Sequence, residues 1–188
     1  YCRQVTCPHC GGEVPLLNTC WLSKSGDKWA VRIIPDGSSK NGKVRFETYK
    51  VVRGKGPNGE DPNFRTVRGG KGECIHCGQG ISSDEIKSQA RGESRHGTWC
   101  DRLYCVVAVR DEPVLNSKGQ PVRFKSGARA GQIKTKKIVF YRPPNELDLE
   151  ALETAGRMLK KRWDEWDRQG LIPTERFPEG NDMRPVIY

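Results

Sequence analysis

Two cysteine pairs are the residues of this chain whose spacing most directly suggests chemistry. They lie in two similar segments, the first knuckle Cys7-Pro8-His9-Cys10-Gly11-Gly12 and the second knuckle Cys74-Ile75-His76-Cys77-Gly78-Gln79-Gly80. Two thiolates at positions i and i+3 of a tight turn can bind one tetrahedral ion, and the following glycine allows the positive φ that such a turn needs. The four predicted ligands are Cys7, Cys10, Cys74 and Cys77. Because four protein ligands leave no open coordination position, the spacing predicts a structural zinc ion.

The first knuckle has a second interpretation, since Cys7-Pro8-His9-Cys10 also fits the centre of a thiol–disulfide oxidoreductase. Such a centre places its first cysteine at a helix N-terminus, where the helix dipole lowers the pKa of the thiol. Gly11, Gly12 and Pro15 argue against a helix here, and a second knuckle follows downstream. The metal site is therefore favoured, and the long stretch between the knuckles must contain an inserted β element.

The other cysteines and the knuckle histidines have simpler interpretations. Cys2, Cys20, Cys100 and Cys105 lack the paired spacing and lie in or beside apolar stretches. We expect them to be buried as small hydrophobic residues, with a second metal site as the alternative. His9 and His76 lie where the turns direct side chains outward, so we expect both to be exposed and neither to be a ligand.

Several strands and two helices must position the knuckles. Alternating or β-branched runs predict strands at 14–21, 28–34, 43–53, 103–109 and 138–141, the last two of them buried. Residues 54–72 are polar and rich in glycine, which predicts a loop. A short helix is expected from Ser82 or Ser83 to about Gly92.

The sequence also predicts a long amphipathic helix that begins after Asn145, its N-cap, and ends near Gly170. Apolar residues recur along it at steps of three and four: Leu149, Leu152, Ala155, Leu159, Trp163 and Trp166. This spacing predicts one apolar stripe on a helix of about 24 residues. We expect the stripe to pack on the domain itself, with docking of the two tryptophans on a neighbouring domain as the alternative.

A basic segment separates the last two predicted strands. No acidic residue occurs from 113 to 145, and glycines interrupt the sequence, which predicts a flexible cationic loop. The candidate nucleic-acid-binding residues are Lys118, Arg123, Lys125, Arg129, Lys134, Lys136 and Lys137. They are able to neutralise phosphates, and Phe46, Tyr49 and Phe124 are candidates for stacking on bases. The alternative is a merely solvated charged face, and phosphate contacts alone would carry no sequence choice.

Composition excludes several classes of protein. The chain has 188 residues, a net charge of +10 and 35% hydrophobic residues, so its core is small. A structural zinc ion could add on the order of 10 kcal/mol to the free energy of folding, which a core of this size requires. No apolar run reaches membrane-spanning length and no signal-peptide pattern is present, so we expect a cytoplasmic chain without membrane contact. It begins at Tyr1 without Met and ends on an apolar run, which suggests a piece of a larger protein.

We find no catalytic motif in these residues. Residues 54–59 are rich in glycine, but Pro57 interrupts them and no helix follows. An amino-methylating enzyme uses an acid or amide, two prolines and an aromatic residue, and the segments 61–64 and 142–145 each lack part of that set. We therefore expect no catalytic residue here.

The order of these motifs resembles the adenine-specific DNA methylases that contain a zinc ribbon. The residues that carry the resemblance are Cys7-Pro8-His9-Cys10-Gly11 with Glu13-Val14-Pro15-Leu16, Cys74-Ile75-His76-Cys77-Gly78 with Ile81 and Ile86-Lys87, Arg102-Leu103-Tyr104-Cys105-Val106-Val107, Gly170-Leu171-Ile172-Pro173 and Glu175-Arg176-Phe177-Pro178. The resemblance implies a parent enzyme that transfers a methyl group from S-adenosylmethionine to adenine N6. It carries over the four zinc ligands but no catalytic residue, and it places S-adenosylmethionine only in the parent protein.

The expected fold class is α+β: an antiparallel β-rich zinc ribbon with a split four-cysteine site and a long C-terminal amphipathic helix. We expect a zinc-ribbon domain at 1–112, a basic loop and strand at 113–142, and a helix with a linker to the parent domain at 143–188. The favoured function is a methylase insert that aids DNA binding or target recognition, with DNA and the parent catalytic domain as partners. The alternatives are a structural module that braces the parent enzyme and a free-standing RNA-binding ribbon protein.

Overall fold

The computed structural model describes residues 1–38 and 40–172. It is rich in antiparallel strands and contains two helices in this range. The elements are β1 (Cys2–Thr6), β2 (Glu13–Leu16), β3 (Trp21–Ser23), β4 (Trp29–Pro35), β5 (Val44–Lys50), β6 (Val67–Arg68), β7 (Lys71–Glu73), β8 (Gly80–Ile81), α1 (Ser83–Arg91), β9 (Cys100–Arg102), β10 (Val106–Pro113), β11 (Thr135–Arg142) and α2 (Glu146–Arg168).

The strands form four small antiparallel sheets, with orders β2-β1-β9, β3-β4-β5, β6-β7-β8 and β10-β11. The strands β1 and β2 of the first sheet flank the first knuckle, and β7 and β8 of the third flank the second knuckle. The sheet β3-β4-β5 lies between the knuckles in sequence, which confirms the expected inserted β element. The predicted strand 14–21 is divided into β2 and β3, and the expected loop 54–72 contains β6 and the first residues of β7.

The chain divides into two compact units, the first of which ends at Pro144. The core of this first unit consists of small apolar clusters. Val5 and Val14 pack with the cysteines Cys7 and Cys74 and with Ile81. A second cluster joins Cys2 and Cys20 to residues of the inserted sheet, including Val31, Val44 and Phe46. Two of the predicted ligands are thus part of the apolar core itself.

Capping residues define both helices as the sequence predicts. The Ser82 side chain accepts a hydrogen bond from the Glu85 N–H at the start of α1, and Gly92 ends that helix at φ 72°. At the start of α2, Asn145 and Asp148 form a reciprocal capping box.

The helix α2 belongs to a second unit that begins at Asn145. No residue of α2 is buried, and several of its apolar side chains are exposed. Packing of the apolar stripe of α2 on the domain, or on a neighbouring domain, therefore stays a prediction. The motif Glu175-Arg176-Phe177-Pro178 and Pro173 lie outside the described residues, and no described helix is long and apolar enough to cross a membrane.

The expected buried strand at 103–109 is wrong in both extent and burial. The strand β10 starts only at Val106, and its paired strand β11 covers one edge but neither face. Val107 and Val109 are therefore 60% and 58% exposed, and the predicted burial of 138–141 is also wrong, since no residue of β11 is buried and Val139 is 47% exposed. A continuous apolar run predicts burial only where another layer packs on the strand, and none of the described elements covers that face.

Candidate metal centre

The two knuckles have the same backbone hydrogen bonds. In the first, the Gly11 N–H donates to Cys7 O and the Cys7 N–H donates to Gly12 O, both at 2.9 Å. In the second, the Gly78 N–H donates to Cys74 O at 2.8 Å, and the Cys74 N–H donates to Gln79 O at 2.9 Å. Gly11 and Gly78 have φ of 74° and 71°, the left-handed conformation that their sequence position predicts.

The four cysteine sulfurs converge from these two turns. The Sγ atoms of Cys7 and Cys77 are 3.7 Å apart, and those of Cys10 and Cys74 are 3.6 Å apart. All four sulfurs lie within 4.8 Å of one another. A tetrahedral Zn²⁺ with Zn–S bonds of about 2.3 Å requires sulfurs about 3.8 Å apart, so the donor set and its spacing fit a four-coordinate ion. The four cysteines therefore lie close together in a site that could hold a metal ion.

Burial and backbone N–H groups shift the pKa values of these thiols in opposite directions. Cys7 and Cys74 are buried, and burial raises the pKa of Cys74 to about 12 although N–H groups of residues 76 and 77 face its sulfur. The Gln79 N–H faces the more accessible sulfur of Cys77 and lowers the pKa of that thiol. Backbone N–H groups that stabilise negative sulfur are what a thiolate-bound cation needs around its ligands.

His76 is not exposed, which corrects the expectation for that residue. Its Nε2 lies 3.1 Å from Glu13 O, and its ring contacts the open faces of Gly12 and Gly42, where an added Cβ would clash with it. The ring thus fills the space between the second knuckle and the start of β2, a contact set by tertiary structure alone. His9 is exposed as expected, and neither histidine belongs to the sulfur cluster.

The four remaining cysteines divide into two groups. Cys2 and Cys20 are buried, as predicted, and burial raises the pKa of each to about 11, so both thiols stay protonated at neutral pH. Cys105 is half-buried, and Cys100 is exposed because β9 is an edge strand that solvent reaches. The expectation of burial is therefore wrong for Cys100. No second cluster of metal-binding side chains occurs among residues 1–38 and 40–172.

The predicted nucleic-acid-binding residues lie on the β10–β11 hairpin and on the turns at its tip. All seven except the half-buried Lys134 are exposed, and none forms an ion pair within the part of the chain that the structure describes. The tip is not the free loop that was expected. The Val114 N–H donates to Lys134 O, the Lys134 N–H to Val122 O and the Val122 N–H to Val114 O, each at 2.8 Å.

The aromatic residues proposed to stack on bases are not available for that role. Phe46 and Tyr49 are both buried, on opposite faces of β5: Phe46 packs in the cluster of Cys2 and Cys20, and Tyr49 packs with Ala30 and Val51. Phe124 is half-buried on the hairpin, and its ring lies 4.5 Å from the Arg129 guanidinium carbon and 5.2 Å from Lys134 Nζ. The ring thus holds two cations in place by cation–π contact.

One cationic surface was not predicted from the sequence. Arg65, Arg68 and Lys71 line an open cleft of about 390 Å³ beside the glycines of the second knuckle, and Glu73 also lines it. The signal available in the sequence was three basic residues within seven positions around Gly69-Gly70. Because Glu73 offsets part of the charge, this cleft is weaker as an anion site than the hairpin.

None of the family models, curated proteins or solved structures compared with this chain matches it. The candidate site therefore rests on its own geometry.

Proposed function

We propose that this chain is a structural zinc module that presents a cationic hairpin to nucleic acid phosphates. The observation that carries the metal part is the convergence of four cysteine sulfurs within 4.8 Å of one another, with two of the sulfur–sulfur distances at the edge length of a zinc–thiolate tetrahedron. With four protein ligands the ion has no open position for water or substrate. Its role is then to hold the two knuckles together, and the ligands Cys7, Cys10, Cys74 and Cys77 would be thiolates when it is bound.

The hairpin supports the nucleic-acid part by the placement of its charges. In the β10–β11 register Lys136 and Lys137 lie opposite Glu112 and Asp111, but Glu112 pairs with Arg110, and none of the seven candidate cations forms an ion pair among the described residues. Phe124 restrains Arg129 and Lys134 by cation–π contact. A restrained cation loses less conformational freedom on binding a phosphate than a free one. DNA is the partner we propose, with contacts to phosphates and no base readout of its own.

The resemblance of the motif order extends this proposal to a larger enzyme. On that basis we propose that the chain is the zinc-ribbon insert of an S-adenosylmethionine-dependent adenine-specific DNA methyltransferase in the cytoplasm. The cofactor and the methyl transfer belong to the parent protein. The second candidate is a module that only braces the parent enzyme. The closed four-cysteine site supports both candidates equally, because a structural metal site needs no nucleic acid.

Metal content tests the first part. Elemental analysis of the purified chain should give one zinc ion per molecule, and it should give none after Cys10→Ser and Cys77→Ser together. The matched control is Cys100→Ser, an exposed thiol outside the cluster, which should keep the ion. A purified, folded chain without bound transition metal would contradict the proposal.

A salt titration of DNA affinity tests the second part and separates the two candidates. Neutralising Lys125, Lys136 and Lys137 to alanine should weaken binding and reduce the slope of log K against log salt by up to about 3, roughly one per lost phosphate contact. The control removes the same charge from three exposed lysines outside the hairpin, Lys28, Lys40 and Lys87. Equal slopes for both triple variants would leave only the bracing module, and tighter binding to RNA than to duplex DNA would change the proposed partner.

A further inference from the structure

Five large apolar residues and one glycine of α2 follow a heptad spacing, while Leu147, Ala151, Ala155 and Met158 lie off it. Six positions alternate in steps of three and four: Leu149, Leu152, Gly156, Leu159, Trp163 and Trp166. Large side chains at successive a and d positions form the seam by which one helix pairs with another. Leu149, Leu159 and Trp163 on this seam are 45%, 52% and 51% exposed.

We infer that α2 pairs in antiparallel orientation with α2 of a second copy of this chain. With the two-fold axis between Arg157 and Met158, every a position faces a d position of the second copy. Leu149 then lies opposite Trp166, Leu152 opposite Trp163, and Gly156 opposite Leu159. Each layer joins a large side chain to a smaller one, so the seam is complementary to itself.

Gly156 favours this register over a parallel one. Nothing lies within 4 Å of a Cβ added to Gly156, so the surface there is open to an approaching side chain. In the antiparallel pair, Leu159 of each copy fills the space beside Gly156 of the other, so the same contact forms twice. A parallel pair would instead place Gly156 against itself and Trp163 against itself, which leaves a gap in one layer and crowds another.

The charges beside the seam complement each other in the same register. Glu153 and Lys160 both lie at the flanking e position, and the antiparallel pair brings Glu153 of each copy beside Lys160 of the other. They are seven positions apart in one helix and are too distant to pair within it. At the two ends the register brings Glu146 near Asp167 of the second copy, an exposed like-charge contact that salt screens.

The size of the seam sets the strength we expect. Two helices of 23 residues bury roughly 1,000 Å² between them, which is at the low end for a specific interface. The dissociation constant should therefore lie in the micromolar range, where self-association depends visibly on protein concentration.

Sedimentation equilibrium of the full chain from about 1 to about 200 μM tests the inference. We expect a monomer–dimer equilibrium that Leu159→Asp weakens at least tenfold. The matched control is Met158→Asp, one position away at 59% exposure and off the seam, which should dimerise as the unchanged chain does. Circular dichroism of both variants checks that the helix content is retained.

A charge exchange tests the orientation without touching the seam. Glu153→Lys alone and Lys160→Glu alone should each weaken the dimer several-fold, and the double variant should restore it, because the pairs form again with reversed sign. A chain that stays monomeric to 200 μM would overturn the inference. So would a dimer that tolerates Leu159→Asp, or a double exchange that restores nothing.

Discussion

The knuckle region and the β10–β11 hairpin are both antiparallel β structure, but they use different means to stay ordered. Around the knuckles, Val5, Val14 and Ile81 pack on two of the four cysteines, and all of them are buried. On the hairpin, Val107 and Val109 are exposed, and the tip is held by backbone hydrogen bonds and cation–π contacts. The difference indicates that the apolar core and the four converging cysteines fix one region as a scaffold, whereas the other is a projecting surface.

The largest expected effect is the loss of the metal. Chelation, or Cys7→Ser together with Cys74→Ser, should remove on the order of 10 kcal/mol of binding free energy from folding, which exceeds what the small core supplies. Hydrogen exchange should then become fast in β1, β2, β7 and β8 and change less on the hairpin. The measurement is mass-spectrometric exchange of peptides from the two regions.

Cys100→Ser is the control for that experiment, since it removes a sulfur from the same unit but not from the cluster. Unchanged protection of β1 and β7 after complete metal removal would show that the knuckles are not the scaffold we describe.

Gln89 should give the next largest effect. Its side chain is completely buried and bonds both backbone groups of Thr6: Oε1 accepts from the Thr6 N–H at 2.8 Å, and Nε2 donates to Thr6 O at 2.7 Å. Gln89→Ala leaves these groups without partners and should lower the free energy of unfolding by about 3 kcal/mol. Gln132→Ala, on the exposed hairpin, should change it by less than about 0.5 kcal/mol. Chemical denaturation measures both, and similar losses would remove the distinction between the regions.

A pair of valine truncations compares the regions at constant chemistry. Val14 is fully buried beside the knuckles, so Val14→Ala should cost about 2 kcal/mol through lost burial of two methyl groups and the space left behind. Val109→Ala removes the same atoms from an exposed face of the hairpin and should cost less than about 0.5 kcal/mol. Equal costs in denaturant unfolding would mean that the hairpin face is covered in solution.

The parts that the sequence predicts well are those fixed by local rules. Two cysteines at i and i+3 with a glycine after them specify the knuckle turns, and Ser82 and Asn145 specify where the helices begin. The inserted strands follow from alternation, as in β5. Each of these needs only neighbouring residues and the geometry of one element.

The parts that the sequence does not predict depend on contacts between distant segments. His76 is covered because Gly12 and Gly42 approach its ring, and no pattern near His76 indicates that approach. The run 103–109 is apolar enough for a core strand, but whether a second layer covers it is decided elsewhere in the chain. Arg65, Arg68 and Lys71 form one cleft only after β6 and β7 pair beside the second knuckle.

The smallest effect we expect is electrostatic and concerns the loop that joins the inserted sheet to the second knuckle. Desolvation disfavours the Glu60 carboxylate, but N–H groups of residues 58 and 60 and the Arg32 guanidinium outweigh it and lower its pKa to about 2. A depressed folded-state pKa stabilises the protein above the unfolded-state value near 4.5, and this contribution is lost as the pH falls toward 2. The Glu60→Gln variant should therefore have a lower free energy of unfolding than the unchanged chain at pH 6, with a difference that narrows toward pH 3.

The control at each pH is Glu73→Gln, which removes an exposed carboxylate that forms no ion pair in the described range. Acid would release a bound metal ion from all three proteins alike, so only the difference in stability between them at each pH reports on Glu60. A difference that stays constant from pH 6 to pH 3 would contradict this role.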